Sequence, residues 1–538
     1  MLSLLLESLA PLSIHQANPL PPHRHPPEER AGQRKVYSAA LTDETAPMNP
    51  IQYRLAGLLL AGLLAGCATH VPRSPNDPAS ARCLELYAAL DAVVADRGTA
   101  PSSPARIDGF PYLRVDRFLA GFRDSALTPE QTTAWLTRLS QLDLQARRIE
   151  WASLPAESQS ALQGRHAPDS SVPALLETCA SALRTADLAD PERLALLRKR
   201  ARVSDDYSTA NQLLGLYPLT MLPVDYGVFH YQQETRALFA RPLAALAVQG
   251  QLYRYGPSTA PVALPGRASF QHDALGIPEP TPARLETLFA VHAPVWEIDT
   301  TTDADRPGAP YWRSNGPPTV DISRPLGYHF VSHARWQGES LLQLNYLIWF
   351  AARPKIGAFD LLGGPLDGVL WRVTLDRTGQ PLLYDSIHAC GCYHLLFPGP
   401  GLHLRPETAQ WAEPPLVPQP APIAGDRQRP VVRLSSDSHY VQRVYADRPG
   451  AVTALGQRNY AALYAVPVEN DGRRSLFGPN GLVAGSERAE RWLLWPTGVP
   501  SPGAMRERGR HAIAFVGRRH FDDADLLDRL FEPAKGER

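Results

Sequence analysis

Lysine is nearly missing from this chain. Four lysines (Lys35, Lys199, Lys355 and Lys535) stand among 54 basic residues, so arginine carries almost all of the positive charge. No lysine follows a glycine, which excludes a Walker A phosphate loop. There is no His-Glu-x-x-His and no Cys-x-x-Cys, and hence no Cys-x-x-Cys-His for covalent haem. Gly-x-Ser-x-Gly and Ser-x-x-Lys are absent too, so the usual serine hydrolase signatures are missing. Four methionines are too few for a Met-rich copper carrier. Acidic residues also number 54, and with no net charge there is no global field to recruit nucleic acid or anionic lipid.

Long hydrophobic runs are scarce as well. The apolar stretch Leu55–Gly66 falls short of the roughly 20 residues a membrane-spanning helix needs. It follows Met48-Asn-Pro-Ile-Gln-Tyr-Arg54 and closes on Leu64-Ala65-Gly66-Cys67. A basic n-region, a short h-region and this ending resemble the signal and lipobox of bacterial lipoproteins. The resemblance covers residues 48–67 alone. It implies acylation of Cys67, cleavage before it, and attachment to the membrane through lipid. Ala68 stands where an Asp would mark inner-membrane retention, which implies the outer membrane, with the body facing the periplasm or the exterior. Residues 1–47 read as a mis-assigned or disordered leader upstream of a start at Met48. The body itself resembles no family.

Prolines number 53, about twice the usual share, and favour loops, turns and edge strands over a long bundle. Residues 67–80 are a polar, Pro-rich tether. From 81 to 217 the periodicity is helical, with helices expected at Ala81–Arg97, from Thr128 to Ile149, at Ser171–Thr185 and at Asp190–Arg202. Thr128-Pro129-Glu130-Gln131 has the form of a capping box. From 218 to 538 the chain reads as a larger β-rich domain, so the expected class is α+β. Ser340–Phe350 suits a central strand. Val369–Leu375 and Pro381–His388 should form a hairpin around the turn Asp376–Gly379. Further strands are expected at Val431–Val444, Tyr460–Val468 and His511–Val516, and a short terminal helix after Asp522.

Five cysteines are present. With Cys67 given to lipid and the chain exported, Cys83 and Cys179 are expected to pair. Cys390 and Cys392 lie within His388-Ala-Cys390-Gly-Cys392-Tyr-His394, the richest soft-ligand cluster of the chain. One transition metal such as zinc can take all four side chains only if the chain bends, which Gly391 permits; otherwise two or three of them bind it, completed by a distant group such as His333 or His439. Three other readings compete: a Cys390–Cys392 disulfide or redox dithiol, semi-buried thiols beside solvated histidines, and a Cys392 or Cys390 nucleophile with His439 as base and Asp437 or Asp447 behind it.

Elsewhere, Asp299, Asp303 and Asp305 with Gly308 read as a solvated acidic turn more readily than as a calcium loop. His329 and His333 read as a structural pair, and Leu344–Phe350 as core rather than a sugar platform. No complete catalytic set is legible. The expected role is therefore a structural or binding lipoprotein of the cell envelope, with an envelope-protein or cell-wall partner. The alternative is an envelope metal- or thiol-dependent hydrolase using His388–His394.

Overall fold

The computed structural model describes residues 78–534 apart from 98–99, 259–269, 425–426, 449 and 471. The leader, the signal, Cys67 and most of the 67–80 tether lie outside the described residues. Those described fall within one compact unit, and its class is α+β.

The first part is helical: α1 (Pro78–Arg97), α2 (Pro129–Ser153), α3 (Ala156–His166), α4 (Val172–Leu188), α5 (Pro191–Arg200) and α6 (Tyr217–Ala240). The capping box forms as the spacing dictates. Gln131 N–H donates to the Thr128 hydroxyl, and the Gln131 side chain accepts from Thr128 N–H. Asp190 caps α5 through Glu192 and Arg193 N–H. The apolar stripes of α1, α2 and α4 bury Leu86, Leu90, Trp135, Leu139, Leu176 and Leu183 in one core. A disulfide joins Cys83 of α1 to Cys179 of α4.

Helix α6 departs from expectation, since this stretch reads as a short mixed segment. Pro218 falls in the tolerated first turn, but Pro223 is internal and Gly227 has low propensity. Packing of Val224, Gln232, Thr235 and Phe239 overrides that propensity.

After α6 come β1 (Gln251–Gly256), α7 (Pro282–His292), β2 (Val295–Thr300), β3 (Leu326–Trp336), β4 (Glu339–Arg353), β5 (Gly364–Leu375), β6 (Pro381–His388), β7 (Leu395–Pro398), β8 (Arg429–Leu434), β9 (Val441–Asp447), β10 (Thr453–Ala454) and β11 (Gly456–Asn459). Two sheets result. One has six strands in the order β7-β6-β5-β4-β3-β11; the other has five, β9-β8-β2-β1-β10. The expected hairpin is β5–β6, with its turn closed by Gly379 N–H on the Asp376 carbonyl.

The five-stranded sheet packs on one face of the larger sheet, bringing Trp296, Ile298 and Val432 against Leu344, Ile348 and Val373. The C-terminal segment covers the other face, setting Leu463, Phe477 and Leu527 against Leu347, Leu370 and Ile387. Burial on both faces explains why β4 reads as a near-continuous apolar run rather than an alternation.

Three expected strands are corrected. Val431–Val444 is not one strand but the antiparallel pair β8 and β9, joined by a turn over 435–440. Tyr460–Ala465 is a 3₁₀ turn that leaves only Val466–Pro467 extended. His511–Val516 is irregular, held by a single bridge between Ala512 and His520. The apolar residues of these last two serve as a lid over the sheet, a role that needs no ladder.

Candidate functional site

Four polar side chains from four elements line up inside the β-rich part. His388 ends β6, Asp367 sits on the adjacent β5, His439 lies in the turn between β8 and β9, and Asp305 closes a 3₁₀ turn after β2. His388 Nδ1 lies 3.5 Å from Asp367 Oδ1. His439 Nδ1 donates to Asp367 Oδ2 over 2.8 Å, and its Nε2 lies 3.4 Å from Asp305 Oδ1. His439 is wholly buried and stacks on Phe350 at 3.8 Å. Asp305 also accepts from the N–H groups of Thr301, Thr302 and Asp437. The expected solvated acidic turn is thus corrected in part: Asp303 is exposed, whereas Asp299 and Asp305 are buried and tie down backbone.

Charges alternate along this chain. Burial opposes ionisation of Asp367, yet His388 and His439 outweigh it and hold the carboxyl well below its usual range. Burial also opposes protonation of His439, but the carboxylates of Asp305 and Asp367 facing its two nitrogens win and raise its pKa. Asp305 is lowered to about 2, because His439 and three backbone N–H groups outweigh its burial. His388 goes the other way: burial dominates the attraction of Asp367 and lowers its pKa. Its Nε2 is buried with no hydrogen-bond partner among the described residues.

The backbone around these groups is constrained. Tyr393, Asp437 and His439 adopt φ of +61°, +58° and +53°, the left-handed region that costs a non-glycine residue of order 1 kcal/mol or more. Gly391, at φ +91°, turns the chain after β6; a Cβ there would lie 2.4 Å from the Ala512 carbonyl oxygen. Left-handed backbone at Tyr393, Asp437 and His439 thus gathers around one buried ionic chain.

The chain ends against a wall of phenols. The His388 ring meets Tyr393 edge-on at 5.0 Å and Tyr440 at 5.7 Å, and Tyr393 meets Tyr440 at 4.5 Å. Arg353 donates to the Tyr440 hydroxyl over 3.2 Å. Burial raises the pKa of both phenols, so each keeps its proton as a donor. Beyond them is a cavity of about 90 Å³ lined by Tyr231, Cys392, Tyr393, His394, Tyr440 and Glu490, among others. Burial pushes the Glu490 carboxyl up to about 7, against the pull of Arg353 and Arg488.

The expected metal set does not come together. His388 turns to Asp367, whereas His394 Nε2 lies 3.0 Å from Asp385, itself bound bidentately by Arg372. Cys390 and Cys392 are unbridged, and Arg506 donates to the Cys390 carbonyl beside them. A cationic guanidinium at the thiols opposes a metal ion, and among the described residues no three His, Cys, Asp or Glu are arranged to hold one. His388 is buried and His394 partly so, contrary to the solvated reading.

The thiol nucleophile is not assembled either. Contact with Cys390, and then burial, drives the Cys392 pKa up, which leaves a neutral thiol. Both His439 nitrogens face carboxylates, and Asp447 pairs with Arg254 instead. His333 packs on Phe118 and His329 on Phe289, away from this cluster.

Asp367, Arg353, Tyr440 and Glu490 were not singled out by sequence. One signal for Asp367 was available: a carboxylate between Leu366 and Gly368-Val369 of an otherwise apolar strand needs a buried partner.

No family model matches the chain, and no curated protein or solved structure is found to be similar to it.

Proposed function

We propose that the chain is a cell-envelope lipoprotein, held to the outer membrane through acylated Cys67, whose body is an acid–base hydrolase. The observation that carries the hydrolase is the buried series Asp305–His439–Asp367–His388 ending on phenols that wall a cavity. Glu490 is the proton-transferring group. A carboxyl near neutrality can take a proton from water and return it to a leaving group. Tyr393 and Tyr440 donate hydrogen bonds to the oxyanion that forms, and Arg353 holds the Tyr440 hydroxyl for that task. His388, Asp367 and His439 are positioning residues behind the phenols. Water adds across the ester or amide to give acid and alcohol or amine, so no co-reactant is required.

The test is hydrolysis of a panel of p-nitrophenyl esters and anilides by the anchored protein. The rate should rise with pH to a plateau above an inflection near 7 as Glu490 loses its proton. Glu490→Gln should cut it roughly 100-fold or more. Failure of the wild type on every probe, or an undiminished Glu490→Gln rate, would remove the hydrolase.

A second reading, the binding lipoprotein, is favoured by a groove between α2 and β3. Two adjoining hollows of about 440 and 840 Å³ share Leu142, Phe330 and Arg508 as walls. Such a lining suits a ligand that is extended and largely apolar.

A further inference from the structure

Among the described residues, eleven of the thirteen exposed large hydrophobic side chains lie on three segments. The first runs from the short helix Thr209–Leu214 into α6. It exposes Leu213, Leu214 and Leu216, then Leu219, Leu222, Tyr226 and Phe229 along one face of α6. From Leu213 to Phe229 the only charged residue is Asp225. The second segment exposes Trp492 and Trp495, and the third exposes Ile356 and Phe359.

The three segments are neighbours. A Cβ on Gly215 would lie 2.5 Å from the Pro496 Cβ, and Gln212 donates to the Thr497 carbonyl. Glu490 N–H donates to the Leu361 carbonyl. All three also wall the candidate cavity, through Val224, Gly227 and Tyr231 of α6, through Leu494, and through Leu362. The apolar exposure therefore belongs to the segments that enclose Glu490.

Contiguous apolar exposure of this extent marks an interaction surface. Two observations name a bilayer as its occupant. Only eleven residues, Cys67 to Asp77, separate the acylation site from the start of α1. At about 3.5 Å per residue they reach at most roughly 40 Å, so the anchor keeps the body beside the membrane. The side chains also suit an interface: Trp492 carries the Arg491 guanidinium 4.7 Å from its ring, and exposed Lys355 precedes Ile356. Exposed tryptophan with basic neighbours fits the headgroup region of an anionic leaflet. No described helix is long and apolar enough to cross a membrane.

We propose that the α6, Trp492–Trp495 and Ile356–Phe359 segments dock on the lipid bilayer and that the cavity they enclose takes its substrate from it, an ester-linked amphiphile. The substrate class rests on the hydrolase proposed above, and the docking on the lipid anchor proposed with it.

The acylated full chain is placed in phosphatidylethanolamine–phosphatidylglycerol vesicles, with or without bromine on the acyl chains. Tryptophan emission should be quenched by the brominated lipid. Trp492→Phe with Trp495→Phe should abolish most of that quenching. Leu219→Glu with Leu222→Glu should also abolish it while the protein stays anchored and still cleaves soluble esters. Hydrolysis of the vesicle lipid should fall at least tenfold in that second variant. No quenching in the wild type overturns docking, and disulfide cross-linking of Leu219→Cys between copies would assign the surface to a second chain instead. Quenching without cleavage of any ester leaves docking standing and removes the hydrolase. Cleavage of soluble esters alone, with quenching intact, removes the bilayer substrate.

Discussion

His439 donates to Asp367 across 2.8 Å, joining residues 72 positions apart and placing an imidazolium beside a carboxylate with almost no solvent exposure of either. Breaking such a pair from one side leaves the other charge buried and unpaired. Asp367→Asn keeps the shape and removes the charge, and should cost about 3–5 kcal/mol. The check is the urea midpoint at neutral pH; an unchanged midpoint would be incompatible with the pairing.

The pH dependence of stability has a definite sign at this pair. The folded pKa of His439 is raised, so its contribution is complete below the unfolded value of about 6.5 and is lost as pH climbs through the folded one. Asp305, held at about 2, acts oppositely: its contribution is present above its unfolded value of about 4 and is lost as pH falls through 2. Asp305→Asn should therefore shrink the loss of stability on the alkaline side of pH 6.5. Urea midpoints between pH 5 and 9 measure it.

Glu490 should trade stability for function. Its raised pKa means stability is full below about pH 4.5 and is lost as pH rises through 7, because the unfolded carboxyl ionises more readily. Glu490→Gln escapes that cost. Above pH 7 the variant should be more stable than wild type by about 2–4 kcal/mol, since each tenfold change in proton affinity is worth about 1.4 kcal/mol. Thermal melts at pH 5 and pH 8 should diverge only at the higher pH.

The Cys83–Cys179 disulfide spans a sequence separation of 96 and ties α1 to α4. Replacing both cysteines by serine should cost about 2–5 kcal/mol. In the mature, oxidised protein, thiol titration under denaturing conditions should find Cys390 and Cys392 free; failure of these two to react would contradict the unbridged arrangement.

Cys67→Ala should release the protein from the membrane, because no acyl chain can then be attached. Cell fractionation with palmitate labelling is the check, and an acylated, membrane-bound variant would sink the lipobox assignment.

The local signals were legible because they are carried by neighbours in sequence. The Thr128 capping box, the Asp190 cap, the β5–β6 hairpin and the unbroken apolar run of β4 each depend on spacings of a few residues. The cluster His388–His394 also stood out locally, yet its chemistry did not. Sequence joined four soft side chains to one metal, whereas the fold turns His388 toward Asp367 and His394 toward Asp385.

Spacing and periodicity along the chain were enough for the α+β class, for the helices whose caps are spelled out, and for the central strands of the larger sheet. The sequence also singled out the Cys83–Cys179 pairing that the structure contains. Tertiary structure alone decided that Asp305, Asp367, His388 and His439 form one series, and that Glu490 closes a cavity in front of it. The reason is physical. Periodicity reports which face of an element is buried, but a charge inside the protein is tolerated only by partners that folding brings from distant segments. The same holds for α6, whose prolines and glycine disfavour a helix until packing against the β-rich part compensates.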